Sequence, residues 1–340
     1  MKNHHQNRAR PVRVVALGGG TGLSTLLRGL KEYVARRKSE RRRLPIADLA
    51  AIVTVTDDGG SSGRLRREQR VLPPGDIRNC MVALSKDEAL LSHLFQYRFR
   101  GAKGLGGHSF GNIFLTALTH VTGDFPEAVR LSGQVLAIRG RIYPSTAQNV
   151  TLEAELEDGR RVRGESNISR STRPISRIRL VPSNARPLAE VLSALREANL
   201  ILIGPGSLYT SLIPNLLLRE VTEVIAHSKA TRVYISNLMT QPGETDHFSV
   251  ADHVRAIYEQ TRPGLFDWAV VNRTPIPSRL RRRYARKGSE PVRGALHELH
   301  QMGLGCVYGD LLQEGSIVRH DQNRLTRLIL EQFVKRSKTR

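Results

Sequence analysis

At 340 residues the chain can bury a large core, and its two cysteines are too few for a disulfide framework, so a reducing compartment is expected. The 53 lysines and arginines against 31 aspartates and glutamates give a net charge of +22 at pH 7, a field that attracts anions of any kind. No run approaches the roughly 18 apolar residues of a spanning helix, and the basic start carries no apolar h-region of a signal peptide, so a cytoplasmic protein without a membrane span is expected.

A basic tail over 1–11 precedes a strand that ends at Leu17. Gly18-Gly19-Gly20-Thr21-Gly22 then leads into an amphipathic helix expected over 22–37, with Leu23, Leu26, Leu27 and Leu30 on one face. A strand, a glycine turn and a helix N-terminus make an anion site. The turn lets backbone approach a phosphate, and the free N–H groups of the first helical turn bind it. Leu23 stands where a dinucleotide fingerprint needs glycine, and the lysine of a Walker A loop is missing, which argues against P-loop hydrolysis of ATP or GTP. A charged insertion at 36–45 separates this unit from a second strand over 50–55.

That strand runs into Thr56-Asp57-Asp58-Gly59-Gly60. An acid at the end of strand two of a dinucleotide fold bonds ribose hydroxyls, and Asp57 is a candidate for that role. Asp57 and Asp58 are equally a candidate Mg²⁺ pair beside a diphosphate. Asp76 is expected to cap a helix running to Leu84, with Arg78 and Asn79 in its first turn within reach of phosphate or sugar. Leu90, Leu94, Phe95 and Phe99 mark the next helix as core. A second glycine-rich stretch, 101–111, opens a helix over 113–121 and is expected to turn His108, Ser109 and Asn112 toward a ligand. His108 joins Asp57 and Asp58 as a candidate catalytic group.

Over 149–182 the pattern changes to a β-rich insert, a hairpin around Asp158-Gly159 followed by a third β-run at 175–181. Alternation then resumes with a helix over 187–198, a strand over 200–203 ending in Gly204-Pro205-Gly206-Ser207, and a strand over 232–235 whose loop holds Asn237 and Thr240. A helix over 250–258 and a strand over 268–271 follow. Five apolar strands each end in a glycine or polar loop before a helix, the pattern of a Rossmann-like parallel α/β sheet, here expected as one domain over 12–335. Ligands of such sheets bind beyond the carboxyl ends of the strands, where Gly204, Gly206, Ser207, Asn237 and Thr240 stand. An arginine-rich helix at 278–287 carries Tyr284, whose ring can stack on a base. A short segment with Arg319, a terminal helix and a basic tail at 336–340 complete the chain.

In order, TDDGGSSGRLR at 56–66, PPGDIRN at 73–79, GHSFGN at 107–112, GPGSLYTSLIPN at 204–215, SNLMTQPGETD at 236–246 and AIYE at 256–259 resemble the bacterial gluconeogenesis factor family, relatives of the 2-phospho-L-lactate transferases. The resemblance implies a Rossmann-like fold, a cytoplasmic location, a link to gluconeogenic carbon use, envelope synthesis and cell shape, and binding of a nucleotide sugar of the UDP-N-acetylglucosamine kind. On that reading the diphosphate sits on the turn at 18–22, and Asp57 takes ribose hydroxyls or a metal. Asn79, His108, Ser109 and Asn112 line the centre, Asn237 and Thr240 close the far side, and Tyr284 and Arg319 contact base or phosphate. The related transferases use Mg²⁺ and move a phospholactyl group from a guanosine diphosphate carrier to a deazaflavin, so a Mg²⁺-dependent phosphotransferase is the alternative activity. The partners expected are the nucleotide sugar, an envelope-synthesis enzyme or its regulator, and a second copy of the chain. With no helix-turn-helix, zinc knuckle or RNP-like pattern, nucleic acid is not expected.

Overall fold

In the computed structural model, residues 11–35, 40, 44–86, 88–101 and 104–334 are described. The basic tails and most of the charged insertion at 36–45 lie outside the described residues. The strands are β1 (Val12–Gly18), β2 (Ile46–Val53), β3 (Arg141–Pro144), β4 (Thr151–Leu156), β5 (Arg161–Arg163), β6 (Ile175–Val181), β7 (Leu200–Ile203), β8 (Thr231–Ile235), β9 (Trp268–Asn272) and β10 (Gly305–Gly309).

Seven of them form one parallel sheet in the order β10-β9-β8-β7-β1-β2-β3. Side chains alternate across it. Val15, Leu17, Ile201 and Ile203 face a core built with helices Ala189–Glu197 and Val250–Gln260. Val14, Ala16, Leu200 and Leu202 face a second core built with helices Gly20–Leu30, Gly75–Leu84 and Gln322–Ile329. Burial on both faces explains why the central strands read as continuous apolar runs. The chain builds outward from β1 to β3 and then returns to the other flank of β1 with β7, paired from Val14↔Leu200 to Leu17↔Ile203. The connections leave β1 and β7 in opposite directions, so a crevice opens beyond their carboxyl ends.

The insert is a three-stranded antiparallel sheet, β5-β4-β6. Its inner residues Leu152, Ala154, Ile178 and Leu180 join the first core, so it is packed onto the sheet rather than tethered to it. Its outer face is a charge ladder: Glu153 and Glu155 on β4 stand between Arg163 and Arg161 on β5 and Arg179 and Arg177 on β6. Opposite charges directly across an antiparallel pair favour this register. Arg66, on helix Gly60–Gln69, clamps the insert by donating to Asn149 Oδ1 at 2.9 Å, to Thr151 Oγ1 at 3.2 Å and to the Val150 carbonyl.

Several local expectations change. The helix expected over 22–37 stops at Leu30, followed by a single 3-10 turn over Lys31–Tyr33, because Val34 pairs beside Ile46 ahead of β2. Helix Glu88–Gln96 buries Phe95, whereas Leu90 and Leu94 are 65% and 43% exposed, so the run is not wholly core. Pro74, not Asp76, occupies the cap of helix Gly75–Leu84, and Asp76 falls in its first turn. The edge strand β3, only four residues around Ile142 and Tyr143, had no apolar run to announce it. Among the described residues no helix is long and apolar enough to cross a membrane.

Candidate functional site

The glycine turn after β1 and the turn after β7 touch backbone to backbone. A Cβ on Gly22 would lie 2.2 Å from the Pro205 carbonyl oxygen and 3.0 Å from Gly206 Cα, so only glycine allows this approach. Gly20 has φ +60°, in the left-handed region that glycine enters without strain. The N-cap Gly19 has no side chain to cap helix Gly20–Leu30 and Asp76 takes the Gly20 N–H, which leaves the amino end at Thr21 and Gly22, on the wall of both cavities, as the candidate anion site. The turn after β7 is held from β8. Asn237 Oδ1 accepts from Gly206 N at 3.0 Å while its Nδ2 donates to the Gly206 carbonyl at 2.8 Å, and Gln241 Nε2 donates to Ser207 Oγ at 2.7 Å.

Two cavities open on either side of these turns and share Thr21, Gly22, Gly206 and Ser207. The first, about 380 Å³, is lined by Thr25, Leu238, Met239, Ile317, Val318 and His320, with Tyr284 and Arg319 at its wall. The Tyr284 hydroxyl accepts the Val318 backbone N–H at 3.1 Å, and the Arg283 guanidinium lies over its ring, 5.4 Å from the centroid. The ring is thereby fixed at the cavity wall. Burial drives the His320 imidazole down to about 4, so it is neutral at physiological pH.

The second cavity, about 340 Å³, is polar and acidic. Asp57, Asp76 and Glu165 line it with Thr54, Thr210 and Ser211. Asp76 is pushed up to about 7, chiefly by burial and then by the charge of Asp57, with a hydrogen bond from the Gly20 backbone acting in the opposite sense. Glu165, on the short helix Glu165–Ile168 of the insert, is likewise raised to about 7 by burial, then by Asp57 and Asp58. Carboxyls that exchange protons near neutrality are unusual outside functional sites.

Behind the second cavity lies a hydrogen-bonded support. Asn112 Nδ2 donates to Ser61 Oγ at 3.0 Å, which leaves the Ser61 proton for His108 Nδ1 at 2.9 Å. Arg78 donates to Ser109 Oγ at 2.7 Å and to Asn79 Oδ1 at 2.9 Å. Ser109 also caps helix Phe110–Thr122 through Asn112 N. Burial and the charge of Arg64 lower the His108 imidazole, so it is held as a neutral acceptor.

Of the residues singled out from sequence, Gly19, Gly20, Thr21, Gly22, Asp57, Asp76, Gly206, Ser207, Asn237, Tyr284 and Arg319 line the cavities or hold their walls. Gly18 and Gly204 lie one layer beneath, the Gly18 carbonyl accepting from Asn215 Nδ2 at 3.2 Å. Asp58 turns away from Asp57 and accepts from Ser166 N in the insert at 2.8 Å, so the two aspartates do not face one metal. His108, Ser109 and Asn112 are buried in the support, with Arg78 and Asn79 half-buried beside them, and neither cavity includes any of the five. Thr240 is tied to Glu290 and Ser289 instead of the crevice. Sequence reasoning overlooked Glu165, Thr54, Thr210, Ser211, Met239 and His320 as lining residues. Among the described residues no three histidine, cysteine, aspartate or glutamate side chains converge as a metal cage.

Residues 14–312 match the family described as 2-phospho-L-lactate transferase CofD. The gluconeogenesis factor of Bacillus subtilis is 45% identical over 320 residues, 94% of this chain and 97% of that protein. The gluconeogenesis factor of Halalkalibacterium halodurans is 44% identical over 319 residues, 94% of this chain and 95% of that protein. A crystal structure of a UPF0052 family member from Bacillus halodurans has a TM-score of 0.87 at 44% identity, covering 94% of this chain and 99% of that one. With the fold, the motifs and the identity extending over nearly the whole chain, the protein belongs to the gluconeogenesis factors of the CofD family.

Proposed function

We propose that the protein is a regulatory receptor for a nucleotide sugar of the UDP-N-acetylglucosamine kind. It acts in the cytoplasm to adjust envelope synthesis and cell shape during growth on gluconeogenic carbon sources, with an envelope-synthesis enzyme or its regulator reading the bound state. One observation carries this reading: two adjoining cavities at the β1/β7 switch point, which share the glycine turns and so present three chemically distinct parts. The first cavity offers a fixed tyrosine ring and apolar walls to a base and ribose. The glycine turns offer close backbone to a diphosphate, and the acidic cavity offers acceptors to sugar hydroxyls. No lysine or cysteine nucleophile lines either cavity, and His108 lies outside both, which favours binding over turnover. Gly20→Val puts a branched side chain at φ +60° on the cavity wall and is expected to weaken binding of UDP-N-acetylglucosamine about tenfold or more while the chain stays folded. Unchanged affinity in a folded variant refutes the site.

The acidic cavity favours a second reading, a Mg²⁺-dependent transferase like the 2-phospho-L-lactate transferases. Asp57 and Asp76 are hard oxygen donors that suit Mg²⁺, with phosphate oxygens and water to complete the shell. Such an ion neutralises charge on a leaving diphosphate when bound. That reading requires consumption of a nucleoside-diphosphate donor, whereas the receptor leaves its ligand intact.

A further inference from the structure

Three carboxylates, Asp57, Asp76 and Glu165, line the acidic cavity beside the hydroxyls of Thr54, Thr210 and Ser211, and no lysine, arginine or histidine is among its lining residues. A carboxylate only accepts hydrogen bonds and a hydroxyl both donates and accepts. A group seated there is therefore favoured when it presents O–H or N–H donors and disfavoured when it carries negative charge. The whole chain has the opposite sign: its net charge of +22 draws an anionic nucleotide in from solution. Asp76 lies against the glycine turn itself and accepts the Gly20 N–H, so Asp57 and Glu165 are the carboxylates left to meet the far end of a ligand whose phosphates sit on the turns.

Glu165 is the one member of the trio that the insert supplies, and it stands in a fixed place. Asp58 accepts from the neighbouring Ser166 N at 2.8 Å. One turn on, Ser169 Oγ lies 3.4 Å from Glu165 Oε1 and 3.2 Å from Glu244 Oε1, tying the insert helix to the loop after β8.

We propose that the site selects nucleotide sugars with an uncharged hexose and rejects those whose sugar bears a carboxylate, with Glu165 as the specificity-determining residue. This rests on the nucleotide-sugar reading and adds to it which sugars are admitted. UDP-glucose and UDP-glucuronic acid form a matched pair, differing only in a hydroxymethyl or a carboxylate at C6. In calorimetric titrations of the full chain at pH 8 with EDTA, so that no metal bridges the carboxylates, UDP-glucuronic acid is expected to bind about tenfold or more weakly than UDP-glucose. Glu165→Gln removes the charge at nearly constant shape and is expected to narrow that gap, whereas Glu165→Asp, which keeps the charge, preserves it. Equal affinities in the wild-type protein overturn the proposal. A gap that survives Glu165→Gln unchanged overturns the role given to Glu165. If neither sugar nucleotide binds, and UDP-N-acetylglucosamine does not either, the nucleotide-sugar reading itself falls, an outcome distinct from equal binding.

Discussion

Gly22→Ala is expected to cost about 3 kcal/mol or more of folding stability and to abolish ligand binding, although it adds a single methyl group. The added Cβ would sit 2.2 Å from the Pro205 carbonyl oxygen and 2.7 Å from its carbon, both backbone atoms that no rotamer change can move aside. Relief requires the turns after β1 and β7 to separate, and they are held from several directions. Asn237 grips Gly206 from both sides, and the β1/β7 ladder runs up to Leu17 and Ile203. Overpacking of this kind exceeds the usual 1–3 kcal/mol when the clash is with fixed backbone. Urea unfolding gives the stability and calorimetry the binding. Near-wild-type values for both contradict a fixed backbone contact between the two turns.

Asp76→Asn is expected to raise stability at pH 8 by about 2–4 kcal/mol while weakening Mg²⁺-supported ligand binding. Asp76 is half-buried at the wall of the acidic cavity, and burial with the neighbouring Asp57 charge lifts it from 3.8 to about 7. A carboxyl whose folded value is raised binds its proton more tightly in the native state than in the unfolded chain. Its contribution to stability is therefore greatest below about pH 4 and is lost as pH rises toward about 7. Glu165 and Glu244, each raised to about 7 mainly by burial, act in the same direction. The wild-type protein thus loses stability between those limits, and the asparagine variant loses less of it. Asparagine can still accept the Gly20 N–H through its Oδ1, so the turn is kept. Unfolding curves at pH 5 and pH 8 test the claim. A variant less stable than wild type at pH 8 means that Asp76 is well paired in the native state. A carboxylate retained at such a cost is what a cation- or hydroxyl-binding site requires.

The parts of the site that were legible in the sequence are those written in local grammar. An apolar run, clustered glycines and a helical stripe identify the β1 turn, and repetition of that signal after β7 indicates a parallel sheet and the edge where ligands bind. Adjacency in sequence does not make Asp57 and Asp58 neighbours in one site. Asp57 faces the cavity, whereas Asp58 faces the insert. His108, Ser109 and Asn112 carry the same helix-start grammar as the β1 turn. Grammar does not say which way a helix aims, and helix Phe110–Thr122 starts against Ser61, making a support for the Asp57 and Asp76 segments. Glu165 left no mark, since its position depends on how the whole insert packs on the sheet. Tyr284, by contrast, was legible as the aromatic on a helix in which four of the eight residues are arginine, with Leu280 as its buried residue.

The most direct test of the receptor reading is calorimetric titration of the purified chain with UDP-N-acetylglucosamine, with and without Mg²⁺, followed by analysis of the recovered ligand. Micromolar or tighter binding, about −8 kcal/mol, with the nucleotide sugar recovered intact is the predicted result. No binding under either condition, or loss of the ligand whenever Mg²⁺ is present, would contradict it.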